Sequence, residues 1–384
     1  MAELSPEEQA IVDAAAKFAR KRLAPKALEW DAEGHFPKDE IREAAAMGVA
    51  AIYTREDHGG SGMRRLDGVR IFEQLSRGCA AVAAYLSIHN MCTWMIDEFG
   101  TEEQRAKWVP RLASMEDFAS YCLTEPGAGS DAAALSTKAV REGDEYVLTG
   151  TKQFISGAGD SDVYVVMART GEAGPKGIST FVVTKDMAGL SFGPNEKKMG
   201  WHAQPTRQVI LDGVRVPAEN LLGETEGTGF SIAMKGLNGG RINIAACSLG
   251  AATEAYARAV EYVRERETFG TPLSEQPTIR FALAEMATKL EASRQLLWRA
   301  ARALDDADPD RVELCAMAKM FVTDTCHDVA DQALQLFGGY GYLHEYGMEK
   351  IQRDLRVHRI LEGTNEIMRM VVGRTAATRG LGTR

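Results

Sequence analysis

Several features that would fix the class of this chain at once are missing. No apolar run approaches the roughly 20 residues a membrane-spanning helix needs, and no basic amphipathic leader or signal peptide precedes the opening "MAELSPEEQAIVDAAAKF". That opening goes straight into a helical pattern, with Ser5 and Glu8 spaced as a capping box and Pro6 at the first helical position. The expected location is therefore cytoplasmic. No C-x-x-C pair occurs. The six cysteines (Cys79, Cys92, Cys122, Cys247, Cys315, Cys326) are scattered, which suits small buried thiols in a reducing compartment. His89 and Cys92 have ligand-like spacing and Cys326 adjoins His327, but no second ligand pair lies near either, so no metal site is expected. An excess of positive charge is also missing. With 45 Lys and Arg against 54 Asp and Glu, the formal net charge is -9, which argues against binding nucleic acid through counterion release. A single well-placed Arg could still hold a phosphate-bearing small ligand. There is no internal repeat and no low-complexity segment.

What is present is an ordinary globular composition, 45% hydrophobic and 26% charged over 384 residues, enough for two or three domains around a sizeable core. Three zones follow one another. Residues 5–115 read as helices. Thr101 and Gln104 form a second capping box, Pro37 opens a helix, and "HGGSG" (58–62) breaks the run. Residues 118–222 change character, with short β-branched or aromatic runs such as "EYVLTG", "VYVVMAR", "STFVVT" and "RQVILDGVRV" separated by turns such as "REGDE". The connections are too short for crossover helices, which favours antiparallel pairing in a barrel or sandwich. From about 227 the helical period returns over 241–266, 278–304, 312–337 and 348–361. In the first of these, Ile242, Leu249, Tyr256 and Val263 recur every seven residues. Long helices with short links imply a bundle. The expected architecture is mainly α with a central β domain, divided at 1–117, 118–225 and 226–384.

Two glycine-containing loops stand out in the β zone. "GAGSDA" (127–132) matches the weaker form of the dinucleotide fingerprint and follows a strand-like run. The context fails, because Pro126 interrupts it and a hairpin follows where a Rossmann unit needs a full helix. The second loop is "FISGAG" (154–159). Gly127 and Gly129 allow close approach to a flat or anionic ligand, and Thr124 and Ser130 offer uncharged donors. The two loops could clasp a planar ring or be two ordinary turns.

"YCLTEPGAGSD" (121–131) followed by "TKQFISGAG" closely resembles the flavin-binding loops of the acyl-CoA dehydrogenases. So, in order, do "RETFGTPL" (266–273), "QALQLFGGYGY" (332–342) and "LEGTNEIMR" (361–369). The resemblance covers essentially the whole chain. Within the family, "YLSIHNMCTWMIDEFG" (85–100), "GLNGGRINIAACSLGAA" (236–252) and "RVHRILEGTNEIMR" (356–369) are most similar to members acting on short branched acyl-CoAs.

The resemblance implies a helical N-terminal domain, an antiparallel β-barrel and a C-terminal four-helix bundle, with FAD as cofactor and an acyl-CoA as substrate. By the same similarity, Tyr121, Leu123, Thr124, Gly129, Ser130, Phe154, Ile155 and Ser156 line the flavin. Arg266, Phe269, Gln276 and Pro277 match positions that hold the rest of FAD. Gln335, Leu336, Gly338 and Gly339 match a segment that reaches the FAD of a neighbouring subunit, so a dimer at least, and usually a homotetramer, is implied. Thr364, Asn365 and Glu366 also fall at the FAD site. Ser130, Arg374 and Asn238, Gly239, Gly240 and Arg241, at the opening of a helix, match substrate contacts. An electron-transfer flavoprotein is the implied electron acceptor.

Dehydrogenating an acyl thioester takes a proton from the α carbon and a hydride from the β carbon. The proton is weakly acidic and needs a base whose pKa is raised by loss of water. In "HRILEGTNEIMRM" (358–370), Glu362 follows Ile360 and Leu361 and precedes a permissive Gly363. The family resemblance makes Glu362 that base, with its own backbone N–H on the thioester carbonyl. Some members place the base immediately before the position matching Arg241; here that residue is Gly240. The expected alternatives are a 2-methylbutyryl- or short straight-chain acyl-CoA dehydrogenase, a related flavin oxidase or monooxygenase, and a non-catalytic scaffold of the same fold.

Overall fold

A computed structural model describes residues 5–381; the outermost ends of the expected division, 1–4 and 382–384, lie outside the described residues. Six helices come first: α1 (Pro6–Phe18), α2 (Ala27–Glu33), α3 (Lys38–Ala45), α4 (Arg65–Gly78), α5 (Ala80–Phe99) and α6 (Glu102–Ala113). Both expected capping boxes form, Ser5 with Glu8 on α1 and Thr101 with Gln104 on α6. α5 is apolar on nearly every face because it runs through the centre of the molecule. Its His89 bonds the Leu112 carbonyl and the Ala119 N–H through its two ring nitrogens, a use of histidine that leaves no nitrogen for a metal.

The middle of the chain forms β1 (Ala119–Cys122), β2 (Lys138–Glu142), β3 (Glu145–Ser156), β4 (Val163–Arg169), β5 (Ile178–Thr184), β6 (Leu190–Phe192), β7 (Thr206–Pro217) and β8 (Leu221–Leu222). They make one sheet in the order β6-β7-β3-β2-β4-β5-β8, with β1 on β4. The sheet curls on itself. Tyr146 of β3 meets Phe181 of β5 with ring centroids 4.9 Å apart, and Tyr164 of β4 meets Phe192 of β6 at 5.4 Å. β4 and β5 are buried on both faces. Tyr164, Val166 and Phe181 fill the inside, while Val163, Val165 and Val182 pack outward with Met91 and Met95 of α5. That is why these runs read as continuously apolar. The expectation of purely antiparallel pairing needs correction, since β1 runs parallel to β4 and β2 touches β4 in parallel at Lys138–Arg169. The β2–β3 hairpin lies between β1 and β4 in sequence, and it provides the crossover that a helix would otherwise supply.

The remaining elements are α7 (Gly229–Glu265), a small hairpin of β9 (Glu267–Thr268) and β10 (Thr271–Pro272), α8 (Pro277–Asp305), α9 (Arg311–Leu336), α10 (Met348–Arg356) and α11 (Asn365–Arg379). α7, α8 and α9 share one core with α4 and α5, and α11 lies on α9 through Thr375–Glu313 and Asn365–Thr323 hydrogen bonds. α7 starts at Gly229, so Asn238–Arg241 sit inside a helix and not at its opening. Glycine is a poor helix former, but here the missing side chains let neighbours in. A Cβ on Gly250 would lie 2.0 Å from the Glu73 backbone oxygen of α4. The last expected helix ends at Arg356, with a 3-10 turn over Val357–Arg359. Among the described residues no helix is long and apolar enough to cross a membrane.

Candidate active site

The seam between α10 and α11 turns through two successive left-handed residues, Glu362 at φ 55° and Gly363 at φ 92°. Glycine adopts this conformation freely; glutamate does so only when its surroundings hold it there. The hold comes from two cations. Arg241 Nε of α7 donates to the Glu362 carbonyl oxygen at 3.3 Å, and Lys319 Nζ of α9 donates to the Gly363 carbonyl oxygen at 2.8 Å. Arg241 is itself fixed by Asn238 Oδ1 at 2.8 Å. Thr364 then caps α11 by accepting from the Ile367 N–H. The backbone N–H of Glu362 has no acceptor among the described residues.

The Glu362 carboxylate folds back over α7. A Cβ on Gly240 would lie 2.4 Å from Glu362 Oε2 and 2.9 Å from Oε1. Gly240 therefore makes the space that the carboxylate occupies. Oε2 is buried without a hydrogen-bond partner. Burial pushes the carboxyl up to about 7, against the charges of Lys319 and Arg241, which pull it down. The expected source of that burial needs correction. Of the expected apolar flank, Ile360 is 52% exposed, while Leu361 is partly buried and packs against the main core. The groups electrostatically close to Glu362 lie instead on other elements, at Tyr53, Tyr121 and Cys247.

One α7 residue earlier, Gly239 makes room for a second side chain: its Cβ would lie 2.5 Å from Arg65 Nη1. The Arg65 guanidinium is stacked 3.6 Å over the Tyr53 ring and 4.5 Å over Trp94. The twin glycines thus seat an arginine plate and a carboxylate side by side.

Tyr121 connects this corner to the β domain, its hydroxyl 3.5 Å from the Ala233 carbonyl of α7. The 123–130 loop follows. Its Glu125–Ala128 bridge closes a turn whose Gly127 and Gly129 face open space. The loop rests on a buried ion pair. Glu125 accepts from Lys152 Nζ at 2.8 Å, from the Ser136 N–H at 2.6 Å and from the Thr137 N–H at 2.9 Å, and Lys152 also donates to the Leu123 carbonyl. Burial raises the Glu125 carboxyl, and the Lys152 charge and these hydrogen bonds overcome it, leaving about 2. Lys152→Met would strand that carboxylate. The expected cost is about 3–5 kcal/mol of stability, read as a lowered midpoint in denaturant unfolding, and retention of the parent midpoint would contradict it.

Beside this loop β3 is bulged between Lys152 and Ile155 in its pairing with β7. The bulge re-aims one side chain: Phe154 stands at φ 59°, 65% exposed, between buried neighbours. The Ile155 side chain points into the sheet's own core, so that residue offers a ligand only its backbone. Ser156 is half-buried and its carbonyl accepts from Ser120 Oγ. Leu123 is buried, while Thr124 is partly open and Ser130 exposed.

Other expected residues gather elsewhere. Arg266, Gln335, Leu336, Gly338 and Gly339 line a cavity of about 550 Å³ with Tyr262, Phe337, Tyr340 and Leu343. Arg266 follows the C-terminal end of α7, twenty-five residues beyond Arg241 and so about 37 Å away along the helix. Phe269 is not in that cavity. It tops the β9–β10 hairpin at φ 56° and is 95% exposed. Gln276 and Pro277 start α8 outside the lining. Asn365 is buried, its amide committed to Lys319, Thr323 and Asp324. Glu366 is exposed and pairs with Arg369. Arg374 is exposed on α11 without a hydrogen-bond or ion-pair partner for its side chain among the described residues.

Four residues of the site escaped the sequence reading: Tyr53, Arg65, Lys152 and Lys319. Lys319 carried a signal, since it falls on the core-facing spacing of Cys315, Val322 and Cys326 in an otherwise apolar stretch. Among the described residues one trio has metal-ligand spacing, Asp57, His58 and Glu102. Arg105 already bonds both of its carboxylates.

Comparison with known proteins adds the following. Three family descriptions match in order: "Acyl-CoA dehydrogenase, N-terminal domain" over residues 5–116, "middle domain" over 120–214 and "C-terminal domain" over 227–377. Isobutyryl-CoA dehydrogenase, mitochondrial, of Bos taurus is 53% identical over 372 residues, covering 97% of this chain and 89% of the relative. A solved structure described as the electron transferring flavoprotein of Acidaminococcus fermentans superposes with a TM-score of 0.96 at 41% identity, covering 99% of this chain and 100% of that one. A glutaryl-CoA dehydrogenase from Mycobacterium smegmatis in complex with FADH2 superposes with a TM-score of 0.92 at 28% identity, covering 99% and 97%.

Proposed function

This chain belongs to the acyl-CoA dehydrogenase family, and from that premise we propose that it oxidises a short branched acyl-CoA, isobutyryl-CoA to methacrylyl-CoA, with Glu362 as the base. The enzyme is a flavin-dependent oxidoreductase acting on acyl-CoA thioesters. The observation that carries the base assignment is the Glu362 carboxylate itself, with Oε2 buried and unpartnered above Gly240. At a pKa pushed to about 7, it is basic enough to take an α proton and still substantially ionised at neutral pH.

FAD fits the residues present. The loop glycines Gly127 and Gly129 face open space, the backbone N–H groups of Thr124, Gly129 and Ser130 have no acceptor among the described residues, and Phe154 offers an exposed ring beside them. These would hold the flavin ring, and Arg266 with the Gly338–Gly339 backbone would hold the remainder. Bound there, FAD supplies the acceptor for the β hydride. The protein's own part is the proton and the carbonyl. Glu362 takes the α proton, and its free backbone N–H donates to the thioester oxygen where negative charge develops. Arg241 and Lys319 keep that turn in place. Ser130, Asn238, Gly239, Gly240 and Arg241 are the proposed surroundings of the substrate, with Arg374 as an outer contact.

Arg266 lies about 37 Å along α7 from Arg241, which holds the Glu362 turn. We therefore place the Arg266–Gly339 half against the loops of a second copy, within a homotetramer. An aromatic residue held left-handed at an exposed hairpin tip, Phe269, with Phe281 and Tyr342 also exposed, is the kind of surface a subunit interface covers. We keep 1–117, 118–225 and 226–384 as the proposed units. An electron-transferring flavoprotein is the proposed acceptor, and the solved structure described by that name supports it. For location we propose the cytoplasm. Six buried free thiols suit a reducing compartment, and "mitochondrial" belongs to the name of the bovine relative.

The choice of isobutyryl-CoA rests on the bovine relative and on the Tyr53–Arg65–Trp94 stack, which fills space beside the base and suits a short acyl group. A single methylene is worth only about 1–3 kcal/mol in such discrimination, so 2-methylbutyryl- and short straight-chain acyl-CoAs are the competing substrates. Mixing the enzyme anaerobically with a panel of acyl-CoAs reads this directly. Isobutyryl-CoA is expected to bleach the flavin fastest; faster bleaching by a straight-chain acyl-CoA would overturn the branched preference.

A further inference from the structure

Lys319 is fully buried, and among the described residues no carboxylate lies within ion-pair distance of it. Its ammonium donates to two neutral oxygens, the Gly363 carbonyl at 2.8 Å and Asn365 Oδ1 at 2.9 Å. A buried cation without an ion pair is costly, and a methionine would fill the same core-facing position of α9 at no such cost. Asn365 is arranged to receive it. Its Nδ2 donates to Thr323 Oγ1 and Asp324 Oδ1, which aims its oxygen at Lys319. The whole cluster thus points a positive charge at the back of the turn that carries Glu362.

We infer that Lys319 is a positioning residue for the base, pinning the Glu362–Gly363 turn through its hydrogen bond and keeping the carboxylate ionised through its charge. This rests on Glu362 being the base. The surroundings of the carboxylate leave few other groups for the task. From α7 it meets Arg241 and Cys247, from the segment before α4 Tyr53, from β1 Tyr121, and from α9 Lys319. Among the described residues, Arg241 and Lys319 are the cations that act on it. Arg241 is occupied by Asn238 Oδ1 and the Glu362 carbonyl. Burial lowers the Lys319 ammonium to about 8, still charged at neutral pH, with Glu362 and, on the far side, Asp324 and Glu366 favouring its charged form and Arg241 opposing it.

Two substitutions separate charge from packing. Lys319→Gln keeps a donor for the Gly363 oxygen but no charge; Lys319→Met keeps neither. The readout is the pH dependence of kcat/KM with the holoenzyme, at cofactor loading matched by visible flavin absorbance. For Lys319→Gln the acid limb is expected to move upward by about one pH unit or more, with activity recovering as pH rises. Lys319→Met, if it folds, moves the limb as far and also lowers the plateau. A Lys319→Gln limb coincident with that of the parent enzyme, whatever the plateau, overturns the proposal. A parent enzyme with no acid limb near neutrality would instead tell against Glu362 as the base.

Discussion

Glu362→Gln turns over acyl-CoA about 10²–10⁴-fold more slowly than the parent enzyme while keeping its flavin absorbance. The amide has nearly the shape of the carboxylate and no basicity, and the flavin loops are anchored elsewhere, on Glu125 and Lys152. Steady-state turnover and the visible spectrum check the two halves of the statement, and near-normal turnover would remove Glu362 from the mechanism. The same substitution carries a second, opposite consequence for stability. The folded-state carboxyl is raised from 4.5 to about 7 by burial, partly offset by Lys319 and Arg241. A raised carboxyl means the native state binds the proton more tightly than the unfolded chain. The stability linked to that proton is present in full below about pH 4.5 and is lost as pH rises through about 7. Above that range the parent enzyme bears the cost of a buried charge, of order 3 kcal/mol at most. Glu362→Gln is free of it. Unfolding at about pH 8 should therefore find the variant more stable than the parent, with the difference fading toward about pH 5. Equal stability at the higher pH would mean the carboxylate is better solvated than its orphaned Oε2 implies.

Gly240→Ala is expected to be folded and nonetheless crippled. Its Cβ would fall 2.4 Å from Glu362 Oε2 and 2.8 Å from Cδ. The side chain is flexible, so the clash is relieved by moving the carboxylate and leaving α7 in place. Alanine is also the better helix former by about 1 kcal/mol, and stability should hold or rise slightly. Catalysis does not share that tolerance, because a base displaced by about 1 Å from the proton it takes costs on the order of 10²-fold in rate. Turnover with isobutyryl-CoA, measured beside thermal unfolding, distinguishes this from a folding defect. An alanine enzyme with parent-like turnover would show that the carboxylate works from another position.

Much of the architecture was legible in the sequence, because it depends on local chemistry. Ser5 and Glu8, and Thr101 and Gln104, are spaced to satisfy orphan N–H groups at helix starts, and both boxes formed. The "REGDE" turn does close the β2–β3 hairpin, with Gly143 at φ 64°. What went unread depends on partners distant in sequence. "SYC" is visibly a strand, but side-chain alternation records which face is buried and not which strand lies alongside, so the parallel β1–β4 pairing was invisible. The glycines of "GLNGG" weaken a helix locally, and the close approach of Met95, Arg65 and Glu362 to their bare Cα atoms appears only once α5, α4 and the α10–α11 seam are in place.

By itself the sequence determined the α, β, α order, the flavin-type loops and a glutamate at a helix seam, since each follows from short-range spacing or from motifs that survive as strings. Only the tertiary structure decided what would suit that glutamate to the proposed role of base. Its sequence neighbour Ile360 faces solvent. Tyr121 of β1 and Cys247 of α7 lie close to it instead, Gly240 leaves the room for its carboxylate, and Arg241 and Lys319 restrain its turn. Burial and field at a buried carboxylate are sums over whatever packs within a few ångströms, and here those groups come from segments as distant in sequence as Tyr53, Tyr121, Arg241 and Lys319.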